Sequence, residues 1–66
     1  MLTTEQFLQV IEDHIKGRGI SAKAFGLDAM RDPNFVYDLR KGRSPSLYVV
    51  ERVLERIEHT KDGEAA

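Results

Sequence analysis

Four polar side chains fall on one face of a short helix predicted for residues 33–41. At about 100° per residue, Phe35, Val36 and Leu39 point the other way and predict its buried side. The polar positions are Asn34, Tyr37, Asp38 and Lys41. Asn suits adenine, Asp can accept from cytosine N4, and Tyr can bond or pack on a thymine methyl, so these side chains are able to read base edges. Wheel geometry alone favours a simpler interpretation, the solvated face of a surface helix.

Basic residues surround this helix although the chain is weakly acidic overall. The net charge of the 66 residues is −1, which by itself argues against a nucleic-acid partner. Residues 16–43 hold seven basic and three acidic side chains, whereas the rest of the chain holds three basic and eight acidic ones. This asymmetry is typical of one basic face on an acidic body, but uneven charge also arises by chance in small domains.

Cations near the ends of the helix are candidates for binding phosphates, which give affinity and register without sequence information. Arg40, Lys41 and Arg43 lie near its C-terminal end. Lys23 lies in the first turn of the preceding helix, where free backbone N–H groups favour an anion.

The elements that must position these residues are all predicted to be helical. Residues 3–16 carry one apolar stripe, with a capping box at Thr3 and Gln6 and a stop at Gly17 and Gly19. A second helix over residues 22–29 begins after Ser21, a good N-cap. We therefore expect an all-α, compact bundle of about four helices. It forms a single domain at 1–60, followed by a frayed tail at 61–66.

Two further features shape the middle of the chain. Gly26 lies inside the second helix, where glycine costs about 1 kcal/mol against alanine. We infer that another helix passes too close there for a side chain. Asp32 and Pro33 predict the start of the third helix, with Asp32 as the cap, and Gly42 predicts its left-handed stop.

The fourth helix is predicted to start at Ser44-Pro45 and to carry a broad apolar stripe. The stripe consists of Leu47, Tyr48, Val49, Val50, Val53, Leu54 and Ile57. It can serve as ordinary core or as a dimer surface. We expect a split role, with Leu47, Val50 and Leu54 pointing inward. The dimer interface is then formed by Val49, Val53 and Ile57.

The pattern across residues 21–47 resembles the lambda-repressor/Cro-like (XRE-type) helix-turn-helix family without a gap. The matching residues are Ser21, Phe25-Gly26, the turn Met30-Arg31-Asp32, the helix over 33–41, Arg40-Lys41-Gly42-Arg43 and Ser44-Pro45-Ser46-Leu47. Two positions depart from the family. Met30 stands where the turn usually has a left-handed glycine, and Arg40 stands where an acidic residue is usual.

The resemblance implies sequence-specific binding of double-stranded DNA. Carried over by position, its base-reading sites fall on Pro33, Asn34, Tyr37 and Asp38. Its phosphate sites fall on Ala22/Lys23 and on Lys41, Arg43 and Ser44. It further implies a homodimer on two half-sites about 34 Å apart. We expect a small transcriptional regulator, a phage- or prophage-type repressor. The alternative is a protein-interaction module, such as an antitoxin or adaptor, that uses the same helices.

The remaining features argue against catalysis and membrane insertion. The two histidines, His14 and His59, lie on different predicted helices and the chain has no cysteine, which is a poor set of zinc ligands. No glycine-rich phosphate loop, long apolar run or signal-peptide pattern is present. We expect a cytoplasmic protein that is not an enzyme, with no cofactor, metal, membrane or small-molecule ligand.

Overall fold

Four α-helices follow one another along the chain. A computed structural model describes the backbone of residues 2–65 and the side chains of residues 2–59. The helices are α1 (Thr4–Arg18), α2 (Ala22–Met30), α3 (Phe35–Arg40) and α4 (Leu47–Ala65). Between residues 2 and 65 there is no strand. The prediction of an all-α, four-helix architecture is confirmed.

Residues at the two ends of helix α1 determine where it begins and ends. Thr3 and Gln6 form the predicted capping box: the Gln6 N–H donates to Thr3 Oγ1 over 3.1 Å, and the Thr3 N–H donates to Gln6 Oε1 over 3.0 Å. Gly19 ends the helix with φ of 69°. The predicted stop at Gly17 was wrong. Gly17 is still helical, and the chain turns left-handed two residues later, at Gly19.

Helix α2 begins after Ser21, whose Oγ accepts the Ala24 N–H over 3.0 Å as predicted. It ends at Met30, and the left-handed residue of the turn is Arg31, with φ of 55°. The sequence left open whether Met30 itself adopts a left-handed conformation; it does not, and it remains the last residue of α2. The Asp32 N–H then donates to the Gly26 carbonyl over 3.1 Å, which closes the helix end.

Helix α3 is shorter than the predicted span of 33–41. Asp32 Oδ1 accepts the Asn34 N–H over 2.9 Å, and the Asp32 carbonyl accepts the Phe35 N–H over 3.2 Å. Asp32 and Pro33 thus form a side-chain-supported turn instead of the first helical turn. The predicted stop at Gly42 is confirmed, with φ of 103°.

Helix α4 is capped by Ser46, not by the predicted Ser44-Pro45 pair. Ser46 Oγ accepts the Val49 N–H over 3.3 Å, and its carbonyl accepts the Val50 N–H over 3.0 Å. The side chains of residues 60–66 lie outside the described part of the chain. The division into a domain at 1–60 and a frayed tail at 61–66 therefore stays a prediction.

One apolar core joins all four helices. Its largest fully buried side chains are Phe7, Ile11, Phe25, Val36 and Val53. Gly26 is buried where α2 meets the turn before α3: a Cβ there would overlap the Asp32 carbonyl oxygen and lie 3.3 Å from the Phe35 Cβ. The close approach inferred from this glycine is confirmed, although the turn carbonyl makes the tightest contact.

The predicted faces of α4 were wrong for Leu47, Val53 and Ile57, whereas Val50 and Leu54, expected to point inward, are half-buried against the core. Val53 is 0% and Ile57 is 4% exposed, so both lie in the core and neither is available to a partner. Leu47, expected inside, is 62% exposed. Val49 is half-buried against the core. Val53 and Ile57 lie one turn apart in the core, so they mark the centre of the inward face of α4, which contacts α2.

Candidate nucleic-acid interface

The two faces of α3 divide as the sequence predicts. Phe35, Val36 and Leu39 are buried, at 8%, 0% and 3% exposure. The opposite side is polar and open: Asn34, Tyr37 and Lys41 are exposed and Asp38 is half-buried. Pro33 is half-buried in the turn that leads into α3.

Packing on two sides fixes the position of α3. It contacts both α2 and α1, and its three apolar side chains belong to the core cluster. The turn before it is held by the hydrogen bonds that Asp32 accepts. A helix of six residues has little stability in water by itself, so these contacts determine where its exposed face points.

The acid on the exposed face of α3 has a basic partner. Arg43 Nη1 lies 3.3 Å from Asp38 Oδ2, and the Arg43 N–H donates to the Asp38 carbonyl over 3.1 Å. The guanidinium is two-thirds exposed, so the pair is loose and open to exchange. Its proximity offsets the repulsion between this carboxylate and any anion that approaches the face.

Arg40, predicted to bind phosphate, is paired within the chain. Its Nε and Nη2 each donate over 2.7 Å to a carboxylate oxygen of Glu12 on α1. The hydrogen bond from Arg40 holds the pKa of the Glu12 carboxyl below its usual value, against a smaller effect of partial burial. The same guanidinium lies 5.6 Å from the centre of the Tyr37 ring.

Three other cations, in α2 and in the segments next to α3, have no anionic partner among the described residues. Among the side chains that the structure describes, Lys23, Arg31 and Lys41 are exposed and make no ion pair. Lys23 is in the first turn of α2, Arg31 is in the turn before α3, and Lys41 follows α3 directly. Ser44 is exposed in the loop before α4. A polar helix face flanked by such cations suits a polyanion with hydrogen-bonding edges.

The two histidines lie on different helices and contact different neighbours. His14 packs edge-on against Phe25, with ring centres 5.5 Å apart, and His59 Nε2 lies 3.6 Å from Glu55 Oε1 one turn away. Within residues 2–59, no group of three or more His, Cys, Asp or Glu side chains is arranged to hold a metal ion.

Sequence reasoning missed two residues at this face. Arg31 was counted only as charge, because the sequence did not identify it as the left-handed residue of the turn. Glu12 was not singled out, because its partner Arg40 lies 28 positions further along the chain and no local pattern joins the two residues.

Among the described residues, no helix combines the length and the apolar character needed to cross a lipid bilayer. Comparison with protein-family models, with curated proteins and with solved structures gave no match for this chain. The functional interpretation therefore rests on the geometry of its own residues.

Proposed function

We propose that this chain binds double-stranded DNA sequence-specifically and regulates transcription, with α3 in the major groove. The observation that carries the proposal is the exposed face of α3. Three core residues behind this face hold the helix in place, its hydrogen-bonding side chains point away from the core, and exposed cations that make no ion pair among the described residues lie in α2 and next to α3 in the chain. The major groove admits one α-helix, and a helix this short can enter it without its ends striking the backbone.

Base reading falls to three side chains in this arrangement. Asn34 pairs with adenine, and Tyr37 hydrogen-bonds a base or packs on a thymine methyl. Asp38 accepts from cytosine N4 once Arg43 turns to a phosphate, which the loose pair permits. Pro33 has no N–H to donate, so its contribution is to the turn that sets the start of α3.

Phosphate binding falls to the cations around the face. Lys23, Lys41 and Arg43 retain their predicted roles, with Ser44 beside them as a hydroxyl donor, and Arg31 joins them. Four such cations give a slope of log K against log salt of about −3.6 per protomer. Occupying promoter DNA in this way would make the protein a repressor of phage or prophage type.

A homodimer remains part of the proposal, but on a different surface of α4. Val53 and Ile57 are excluded because they are core residues. Among the described side chains of α4, the large apolar ones that are exposed are Leu47 and Tyr48, at 62% and 66% exposure. We expect them to lie near the two-fold axis of a dimer on DNA. Sedimentation with a two-site duplex tests this: Tyr48→Ser should bind one protomer where the wild type binds two.

The decisive experiment is selection of bound duplexes from a random-sequence library, followed by affinity measurements over a range of salt concentrations. Asn34→Ala should relax preference at one base position, whereas Lys41→Ala should weaken binding to all sequences alike and reduce the salt slope by about 0.9. Arg52→Ala is the matched control, because this cation lies on α4 beside the Ala29 carbonyl.

An adaptor or antitoxin would enrich no sequence and show little salt dependence, and that result would reject DNA binding.

A further inference from the structure

Three side chains from two helices form a connected set beside the exposed face of α3. Glu12 of α1 accepts two hydrogen bonds from Arg40, each 2.7 Å long. Arg40 lies over the ring of Tyr37, one turn away on α3. We call this set the Glu12–Arg40–Tyr37 relay.

The relay restrains an aromatic ring that is otherwise open to solvent. Tyr37 is 41% exposed and is not among the core residues, so core packing does not fix its side-chain conformation. A bidentate arginine–carboxylate pair has a fixed planar geometry, and a cation within about 6 Å of a ring attracts its face. Glu12 follows the fully buried Ile11, which anchors this part of α1. The orientation of Tyr37 is thereby tied to α1.

The relay also neutralises the positive charge of Arg40, which is then not available to bind phosphate. A free guanidinium beside the reading helix binds any phosphate within reach, whatever the sequence. Paired with Glu12, Arg40 adds no net charge to the face. The Glu12 carboxylate thus orients the ring of Tyr37. It also prevents Arg40 from making a phosphate contact that does not discriminate between sequences.

We propose that Glu12 is a positioning residue that raises the ratio of specific to non-specific DNA binding. This inference rests on the proposed function, and it assigns a part in recognition to α1, which does not enter the groove. Glu12 acts through Arg40 and Tyr37 and touches no DNA itself.

The test is Glu12→Gln, which keeps the side-chain size and removes the charge. Release of Arg40 should steepen the salt slope on non-specific duplex by about 0.9 and raise non-specific affinity several-fold. Discrimination at the base that Tyr37 reads should fall about fivefold, the lower end of one base contact. A purely structural role for Glu12 would leave the salt slope unchanged, and that outcome would overturn the proposal.

The chain offers a matched control in a second bidentate pair. Arg56 donates to both carboxylate oxygens of Asp28 over 2.7 and 2.8 Å, and this pair joins α4 to α2 without a residue of α3. Asp28→Asn should lower stability to a similar degree without changing the salt slope or the base preference. A change in salt slope as large as that of Glu12→Gln would show that lost stability explains both, and would reject the positioning role.

A DNA-free measurement separates this inference from the proposed function. In NMR spectra, Glu12→Gln should shift the ring signals of Tyr37 and leave those of Tyr48 in place. The double variant Glu12→Arg with Arg40→Glu should recover stability but not the wild-type Tyr37 shifts, because no cation then lies at position 40.

Unchanged Tyr37 signals would overturn the relay even if the wild type binds DNA. Shifted signals in a protein that binds no DNA would reject the proposed function, and the role in recognition with it.

Discussion

Replacing Gly26 by alanine should destabilise the fold, although alanine is the better helix former. Alanine gains about 1 kcal/mol over glycine inside a helix. Here, however, the added Cβ would overlap the main-chain carbonyl of Asp32, which cannot rotate away as a side chain can, and would press on the Phe35 Cβ. Overpacking of this kind costs about 1–3 kcal/mol, and a carbonyl overlap lies at the upper end. We expect a net loss of about 1–2 kcal/mol.

Thermal unfolding followed by far-ultraviolet circular dichroism measures this effect. For a domain of this size, 1 kcal/mol shifts Tm by about 4–8 °C, so Gly26→Ala should lower Tm by roughly 5–15 °C. Gly17→Ala is the matched control, because Gly17 is also helical and a Cβ there meets nothing within 4 Å. That variant should gain about 0.5–1 kcal/mol and raise Tm.

The prediction is that the same substitution changes Tm in opposite directions in two helices: Gly26→Ala lowers it and Gly17→Ala raises it. If Gly26→Ala raised Tm as Gly17→Ala does, the turn before α3 would have room to move and the close approach would not determine how α2 and α3 pack. A second readout follows from the geometry. Because the turn carries Asn34, displacement of Asp32 should also weaken any binding at the α3 face.

Three further predictions concern the helix ends, the core and pH. Ser46→Ala should cost about 1 kcal/mol in urea unfolding, as loss of an N-cap does, whereas Ser44→Ala should change stability by less than about 0.5 kcal/mol. Val53→Ala should cost about 2 kcal/mol in the same assay, because it leaves a cavity at a fully buried site. The hydrogen bond from Arg40 lowers the pKa of Glu12 from 4.5, so its stabilisation is complete above pH 4.5 and is lost as the pH falls below it. Glu12→Gln should therefore be less stable than the wild type by up to about 1 kcal/mol at neutral pH, and the difference should vanish in acid.

Sequence reasoning succeeded where one side chain decides the local outcome. The Thr3–Gln6 capping box, the Ser21 cap and the Gly42 stop each depend on atoms within a few residues, so the printed sequence contains them. The buried face of α3 was also predictable, because Phe35, Val36 and Leu39 are its only strongly apolar residues.

Sequence reasoning failed where two local structures are both compatible with the residues and contacts with distant parts of the chain determine which one forms. Asp32-Pro33 suits a helix start and a turn equally well, and the contact of this turn with Gly26 favours the turn. The stripe on α4 is too broad for periodicity to reveal its centre, so Val53 and Leu47 were assigned to the wrong sides. The Glu12–Arg40 pair joins residues 28 positions apart, and no local pattern predicts its geometry.

The brevity of α3 couples folding to recognition. A six-residue helix exists only while the rest of the chain holds it, so its exposed face disappears whenever the domain unfolds. A ligand for that face binds the native chain alone and shifts the folding equilibrium in its favour, by about 2.7 kcal/mol at one hundred times its dissociation constant. Against the narrow stability margin of a 66-residue domain, this is a large fraction of the total. The melting temperature of the chain should thus rise when a ligand occupies this face, and it can rank candidate ligands, including the duplexes of the proposed function, without a label on either molecule.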